Sequence, residues 1–106
     1  MKMILAIVSS DDSSAVASGL MNEGFSATKL ATTGGFLMSG NTTFLVGIDD
    51  EQVDKAIEII GKCSKKRKQM VSNMAYGVES HANFPIEVTV GGATVFVLSV
   101  DRFEKL

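Results

Sequence analysis

The residues best suited to chemistry cluster between Ala27 and Gly47, in the run ATKLATTGGFLMSGNTTFLVG. Gly34 and Gly35 can turn consecutive backbone N–H groups toward an anion, as turn-formed nests do. Phe36 can stack on a flat ring, Asn41 offers a paired donor and acceptor for an amide-like or purine edge, and Thr28 and Thr32 add hydroxyls. Together they suit a ligand with an aromatic heterocycle and a modest negative charge. No GxxxxGKS/T motif accompanies them, so the turn is not a P-loop. By spacing alone the same residues also fit a hairpin with a buried tip. In either case Phe36 and Leu37 need cover, each gaining roughly 1.5–3 kcal/mol from it. A ligand, a neighbouring subunit, or both would provide it.

Elsewhere the chemistry is sparse. The single histidine, His81, falls in a loop region, and Cys63 reads as a small apolar residue closing a helix, with a reactive thiol among lysines as the alternative. The paired carboxylates Asp11-Asp12 and Asp49-Asp50-Glu51 stand where helix caps and first turns favour acidic residues. No Cys/His cluster has metal spacing. The chain therefore reads as a non-enzyme without a cofactor. Its one concentrated charge is the basic run Lys62 to Lys68 (KCSKKRK), either a solvated helix end or a phosphate-contacting patch. Against nucleic acid stand a net charge of −2 and the lack of Trp.

These residues need a scaffold. The 106 residues, 45% hydrophobic and 21% charged, suit one globular domain spanning 1–106. No apolar stretch is long enough to span a bilayer, and MKMILAIV lacks the flanks of a signal peptide. One cysteine excludes an internal disulfide and suits a reducing compartment. The expected setting is cytoplasmic, away from membrane and nucleic acid.

Lys2 to Val8 reads as a strand covered on both faces, followed by Ser10, Asp11 and Asp12 as candidate helix caps. Val16, Ala17, Leu20 and Met21 make a helical stripe from Ser13 to Asn22, which Gly24 stops. Gly19 within it suggests close packing against the sheet. Phe25 opens a second strand that pairs, through the glycine loop 34–40, with a third from Thr42 to Ile48. Asp49 and Gln52 have capping-box spacing before a helix whose Val53, Ala56, Ile57 and Ile60 share one face, with Gly61 near its end. Residues 65–84 are unpatterned and read as a long flexible loop, with a short strand at Gln69-Met70-Val71. Ile86–Val90 and Ala93–Val100 read as strands joined through Gly91-Gly92. The order gives an α+β, ferredoxin-like βαββαβ plan with an extra C-terminal β-hairpin strand. Helices cover one sheet face. A symmetric oligomer packing sheet against sheet would cover the other.

KMILAIV, FSATKLATTGGFLMSGNTTFLVG and PIEVTVGGATVFVLSVDRF resemble the PII-like receptors for the second messenger cyclic di-AMP, found in Gram-positive bacteria. The resemblance covers nearly the whole chain. It implies a homotrimer with sheets lining its centre and one nucleotide in each cleft between subunits. Carried over by position, Ala27 and Thr28 would contact the nucleotide, and Gly35, Phe36 and Leu37 would supply loop backbone and base packing. Asn41 would hydrogen-bond a base and Gly47 would permit close approach. Ser26 and Gly24 depart from the Arg and Asn common in the family, so a phosphate contact is lost or comes from elsewhere. A cyclic dinucleotide with one charge per phosphodiester suits a cleft of glycine N–H groups better than a nucleoside triphosphate does. The resemblance thus implies a signalling receptor with an unknown downstream protein partner. A PII-like protein-interaction adaptor binding another nucleotide, or none, is the alternative.

Overall fold

The computed structural model describes residues 1–31, 40–71 and 86–106. Strand β1 (Lys2–Ser9) is followed by a 3-10 turn and helix α1 (Ser13–Asn22). Strands β2 (Ala27–Ala31) and β3 (Asn41–Ile48) come next, then a second 3-10 turn and helix α2 (Val53–Cys63). The chain finishes with β4 (Arg67–Val71), β5 (Ile86–Val90) and β6 (Ala93–Ser99). Four strands form an antiparallel sheet in the order β2-β3-β1-β6, and β4 and β5 pair in a separate two-stranded sheet. The four-stranded order with two helices on one face is the ferredoxin-like plan.

Strand alternation divides the large sheet into two faces. Ile4, Ala6 and Val8 of β1 and Phe44, Val46 and Ile48 of β3 are buried with Val16, Leu20, Ala56 and Ile60 of the helices. The opposite face carries half-buried Met3, Leu5, Ile7 and Leu45 beside exposed Phe96 and Leu98. Cross-strand pairs Leu5↔Leu45 and Leu5↔Phe96 run through its middle. The all-apolar sequence of β1 thus has one covered face and one open face within the protomer.

Helix α1 runs over the span its apolar stripe predicts. Its stop at Gly24 has φ +84°, with N–H bonds from Gly24 to the Met21 carbonyl and from Phe25 to the Leu20 carbonyl closing the end. Gly19 does mark a close approach, but to α2 and not to the sheet. A Cβ there would lie 2.9 Å from Cys63 Sγ and 3.0 Å from Ile59 Cγ2. The capping-box expectation is not met at Asp49, whose side chain makes no cap bond; its carbonyl instead accepts from the Gln52 N–H. Helix α2 continues through Gly61 to Cys63, and the Ser64 hydroxyl finishes it by donating to the Ile60 carbonyl.

The expected C-terminal hairpin is replaced by a different pairing. β5 pairs with β4, while β6 leaves for the edge of the large sheet beside β1. Gly91 and Gly92, with φ +87° and +85°, make a corner between two sheets and not a hairpin turn. The Gly92 N–H donates to the Ser64 carbonyl, tying that corner to the end of α2. β6 therefore supplies the fourth ferredoxin-like strand, and β4 and β5 are inserted before it. Of the stretch 65–84 read as a long loop, residues 67–71 form β4. Residues 72–84 lie outside the described residues.

Candidate functional site

The expected site residues divide between the two ends of β3. Thr28 on β2 lies opposite Leu45, so its side chain shares the open sheet face with Leu45 and Gly47. Diagonal neighbours of this kind stand about 7–8 Å apart, which groups Thr28 with Gly47. Ala27 sits opposite Val46 and so belongs to the helix-covered face, at an exposed edge. Asn41 stands at the other end of β3, opposite Ser9. Six residues of strand at about 3.3 Å each separate Asn41 from Gly47 by about 20 Å. Gly35, Phe36 and Leu37, together with Thr32, Gly34 and His81, lie outside the described residues.

The Asn41 end is concave. A cleft of about 380 Å³ opens between Gly40 and Asn41 on one side and Lys66, Gly91 and Gly92 on the other, with Asp11 also in its wall. That volume falls within the range of small-molecule sites. The Ser10 N–H donates to the Gly40 carbonyl at 2.9 Å, and the Ser10 and Thr42 hydroxyls share a hydrogen bond of 3.1 Å. These bonds hold the start of β3 against the end of β1. Neither Thr28 nor Gly47 lines this cleft. At the Gly47 end a Cβ would come within 3.2 Å of Met1 Cε, so the missing side chain leaves room that the terminal methionine approaches.

The far wall of the cleft is the base of the β4–β5 arm, and its anchor was not visible in the sequence. Arg67 donates to both carboxylate oxygens of Asp12, through Nη2 to Oδ1 at 2.9 Å and Nη1 to Oδ2 at 3.4 Å, and through Nη1 to the Lys65 carbonyl at 3.1 Å. Its hydrogen bonds to Asp12, and the charge of that carboxylate, hold the Arg67 guanidinium above its ordinary pKa. Asp12, read as a helix cap, makes no side-chain cap bond and spends its buried carboxylate on this pair instead. Ser9 takes the capping role one turn earlier, its Oγ accepting from the Asp11 N–H. Only the opposite signs of two residues 55 positions apart hint at the contact.

The basic run resolves into separate partners. Lys62 pairs with Glu58 at 3.0 Å, Lys68 with Glu87 at 3.3 Å, and Arg67 with Asp12. The Glu58 hydrogen bond and charge raise the Lys62 pKa. Among the described residues, no group of three or more His, Cys, Asp or Glu could hold a metal ion. Nor is any described helix long and apolar enough to cross a membrane.

Residues 1–106 match the sequence profile of the cyclic di-AMP receptor family. The chain belongs to that family. A solved structure, described as that of a functionally unknown protein from Pediococcus pentosaceus ATCC 25745, is similar at 44% identity with a TM-score of 0.76. The match covers 99% of this chain and 96% of that one. The Asn41 cleft and the Thr28–Gly47 surface lie toward opposite ends of one strand, β3.

Proposed function

We propose that this chain is a non-enzymatic, cytoplasmic PII-like signalling receptor that binds cyclic di-AMP between the subunits of a homotrimer. The observation that carries the reading is the split site. Thr28 and Gly47 present an open surface at one end of β3, and Asn41 lines a cleft at the other. A neighbouring protomer would bring the Asn41 end of one chain to the Thr28 end of the next. The exposed Phe96 and Leu98, with half-buried Leu5 and Ile7, supply an apolar surface for that contact.

In this reading Thr28 and Asn41 hydrogen-bond the nucleotide, Gly47 allows it close approach, and Ala27 contributes backbone at the exposed strand edge. Gly35, Phe36 and Leu37 give loop amides and a ring for base stacking. Ligand occupancy would reshape the neighbouring loops and so change which downstream protein the trimer meets. Calorimetry with cyclic di-AMP, cyclic di-GMP and ATP side by side, with the mass measured by light scattering, tests it. A trimer that binds cyclic di-AMP selectively is the expected result. A monomer, or a trimer indifferent to all three nucleotides, rejects the receptor reading.

One observation favours a second reading. Ser26 is exposed just before β2 and brings no cation to the Thr28 end. A protein-interaction adaptor of the same fold, binding another nucleotide or none, would tolerate that. Calorimetry of a Ser26→Arg variant separates the two, since an adaptor that lost its ligand through this position regains affinity.

A further inference from the structure

We propose that Lys66 is the phosphate-reading cation of the Asn41 cleft, a role that rests on the nucleotide-receptor reading above. The remaining cations of the basic run are committed or turned elsewhere. Lys62, Arg67 and Lys68 pair with Glu58, Asp12 and Glu87. Lys65 does not line the cleft. Lys66 does, and it makes no ion pair or hydrogen bond among the described residues.

Its placement is built in by Gly92. A Cβ on Gly92 would lie 3.1 Å from Lys66 Cγ and 3.2 Å from its Cε, so the absent side chain is what lets the lysine stem lie flat along the corner. The stem packs on backbone while the ammonium remains available for solvent or an anion. The same residue also borders a shallower groove of about 260 Å³ beside α2, so the stem sits on a ridge between two concavities. Asp11 is the opposing charge in the cleft wall. Among the described residues, one cation and one carboxylate leave the cleft near neutrality. This suits an anion of low charge density, such as a phosphodiester, and disfavours a triphosphate.

The test is calorimetry of the full chain with cyclic di-AMP at low and moderate salt, on wild type and on Lys66→Met, Lys66→Arg, Lys65→Met and Asp11→Asn. Charge-assisted hydrogen bonds of ordinary strength predict a ten- to hundredfold loss for Lys66→Met, of the order of those bonds' free energies. Lys66→Arg should recover most of it, Lys65→Met should change affinity less than about twofold, and Asp11→Asn should tighten binding. The salt dependence of binding should also flatten in Lys66→Met, which loss of packing alone would not produce. Thermal melts of the variants exclude unfolding as the cause. Wild-type affinity and salt slope retained in Lys66→Met would overturn the role of Lys66 while leaving the receptor reading intact. Wild-type protein without any cyclic di-AMP binding would overturn both.

Discussion

Arg67 grips Asp12 across the base of the arm with two nitrogens on two carboxylate oxygens, the shorter contact being 2.9 Å. The partners are unequal: the Asp12 side chain is 8% exposed and that of Arg67 45%. Removing the arginine strands a buried carboxylate at the start of α1. Removing the carboxylate charge leaves a guanidinium that water can solvate. Arg67→Met should therefore lower the melting temperature more than Asp12→Asn. The arm should also become more open to proteolysis in Arg67→Met. Equal melting temperatures for the two variants would show that stranding the carboxylate costs no more than stranding the guanidinium.

The alkaline behaviour of this pair follows from the raised guanidinium pKa. A group that holds its proton more tightly when folded contributes in full below its unfolded pKa, and loses that contribution only as pH climbs through the folded one. For an arginine that window lies beyond ordinary working conditions. The melting-temperature gap between wild type and Arg67→Met should stay constant from about pH 7 to pH 10. A thermal melt series across that range checks it.

The glycines of the corner separate two kinds of substitution. At Gly91 a Cβ would collide with the Lys65 carbonyl oxygen and reach within 2.9 Å of Arg67 Nη1, in a backbone with φ +87°. Gly91→Ala combines a left-handed penalty of about 1–2 kcal/mol with a backbone clash. Gly92→Ala carries the same penalty, but its collision is with a lysine stem that can swing away. Gly61 lies in α2 with nothing near its absent Cβ, and Gly61→Ala should stabilise by roughly 0.5–1 kcal/mol. Urea unfolding of the three variants should order them Gly91 worst, Gly92 next, Gly61 improved.

What the sequence could show was set by periodicity. The stripe Val16, Leu20 and the face Ala56, Ile60 placed both helices against the sheet because burial follows the 3.6-residue repeat. The unbroken apolar run of β1 announced two faces in need of cover. Which strands pair was less visible. β5 and β6 are each strand-like and are joined by two glycines, but only the Gly92 bond to Ser64 and the apolar register of β6 against β1 send them to different sheets. The site followed the same division. Asn41 could be nominated by its chemistry beside a glycine turn, and Lys66 lay within a basic run legible as a phosphate-contacting patch. Which cation of that run borders the cleft, like the Asp12–Arg67 pair, depends on contacts between distant segments that no local pattern encodes.

The open face makes assembly testable at Phe96, which is 53% exposed within the protomer. Covering what remains would contribute about 1 kcal/mol per chain by apolar area alone. Phe96→Asp replaces that gain with a carboxylate facing an apolar surface. Light scattering should show its mass falling toward that of one chain, with the far-ultraviolet spectrum of the fold preserved because Phe96 faces away from the helix-packed core. An oligomeric wild type whose mass Phe96→Asp leaves unchanged would mean that another surface holds the subunits together.

The decisive question for the site is whether its two ends act within one protomer or across two. Take Asn41→Ala and Thr28→Val, each disabling one end. If a cleft takes its Asn41 from one subunit and its Thr28 from the next, a homotrimer of either variant has no intact cleft. A trimer containing both variants places an unaltered Asn41 beside an unaltered Thr28 once around the ring, whichever variant is in the majority. Mixing the two after unfolding and refolding together should therefore restore cyclic di-AMP binding at wild-type affinity in a fraction of sites. If both residues serve the same ligand from within one chain, no mixture can regain it. Calorimetric stoichiometry distinguishes the outcomes, because recovered sites of full affinity differ from a uniform population of weakened ones.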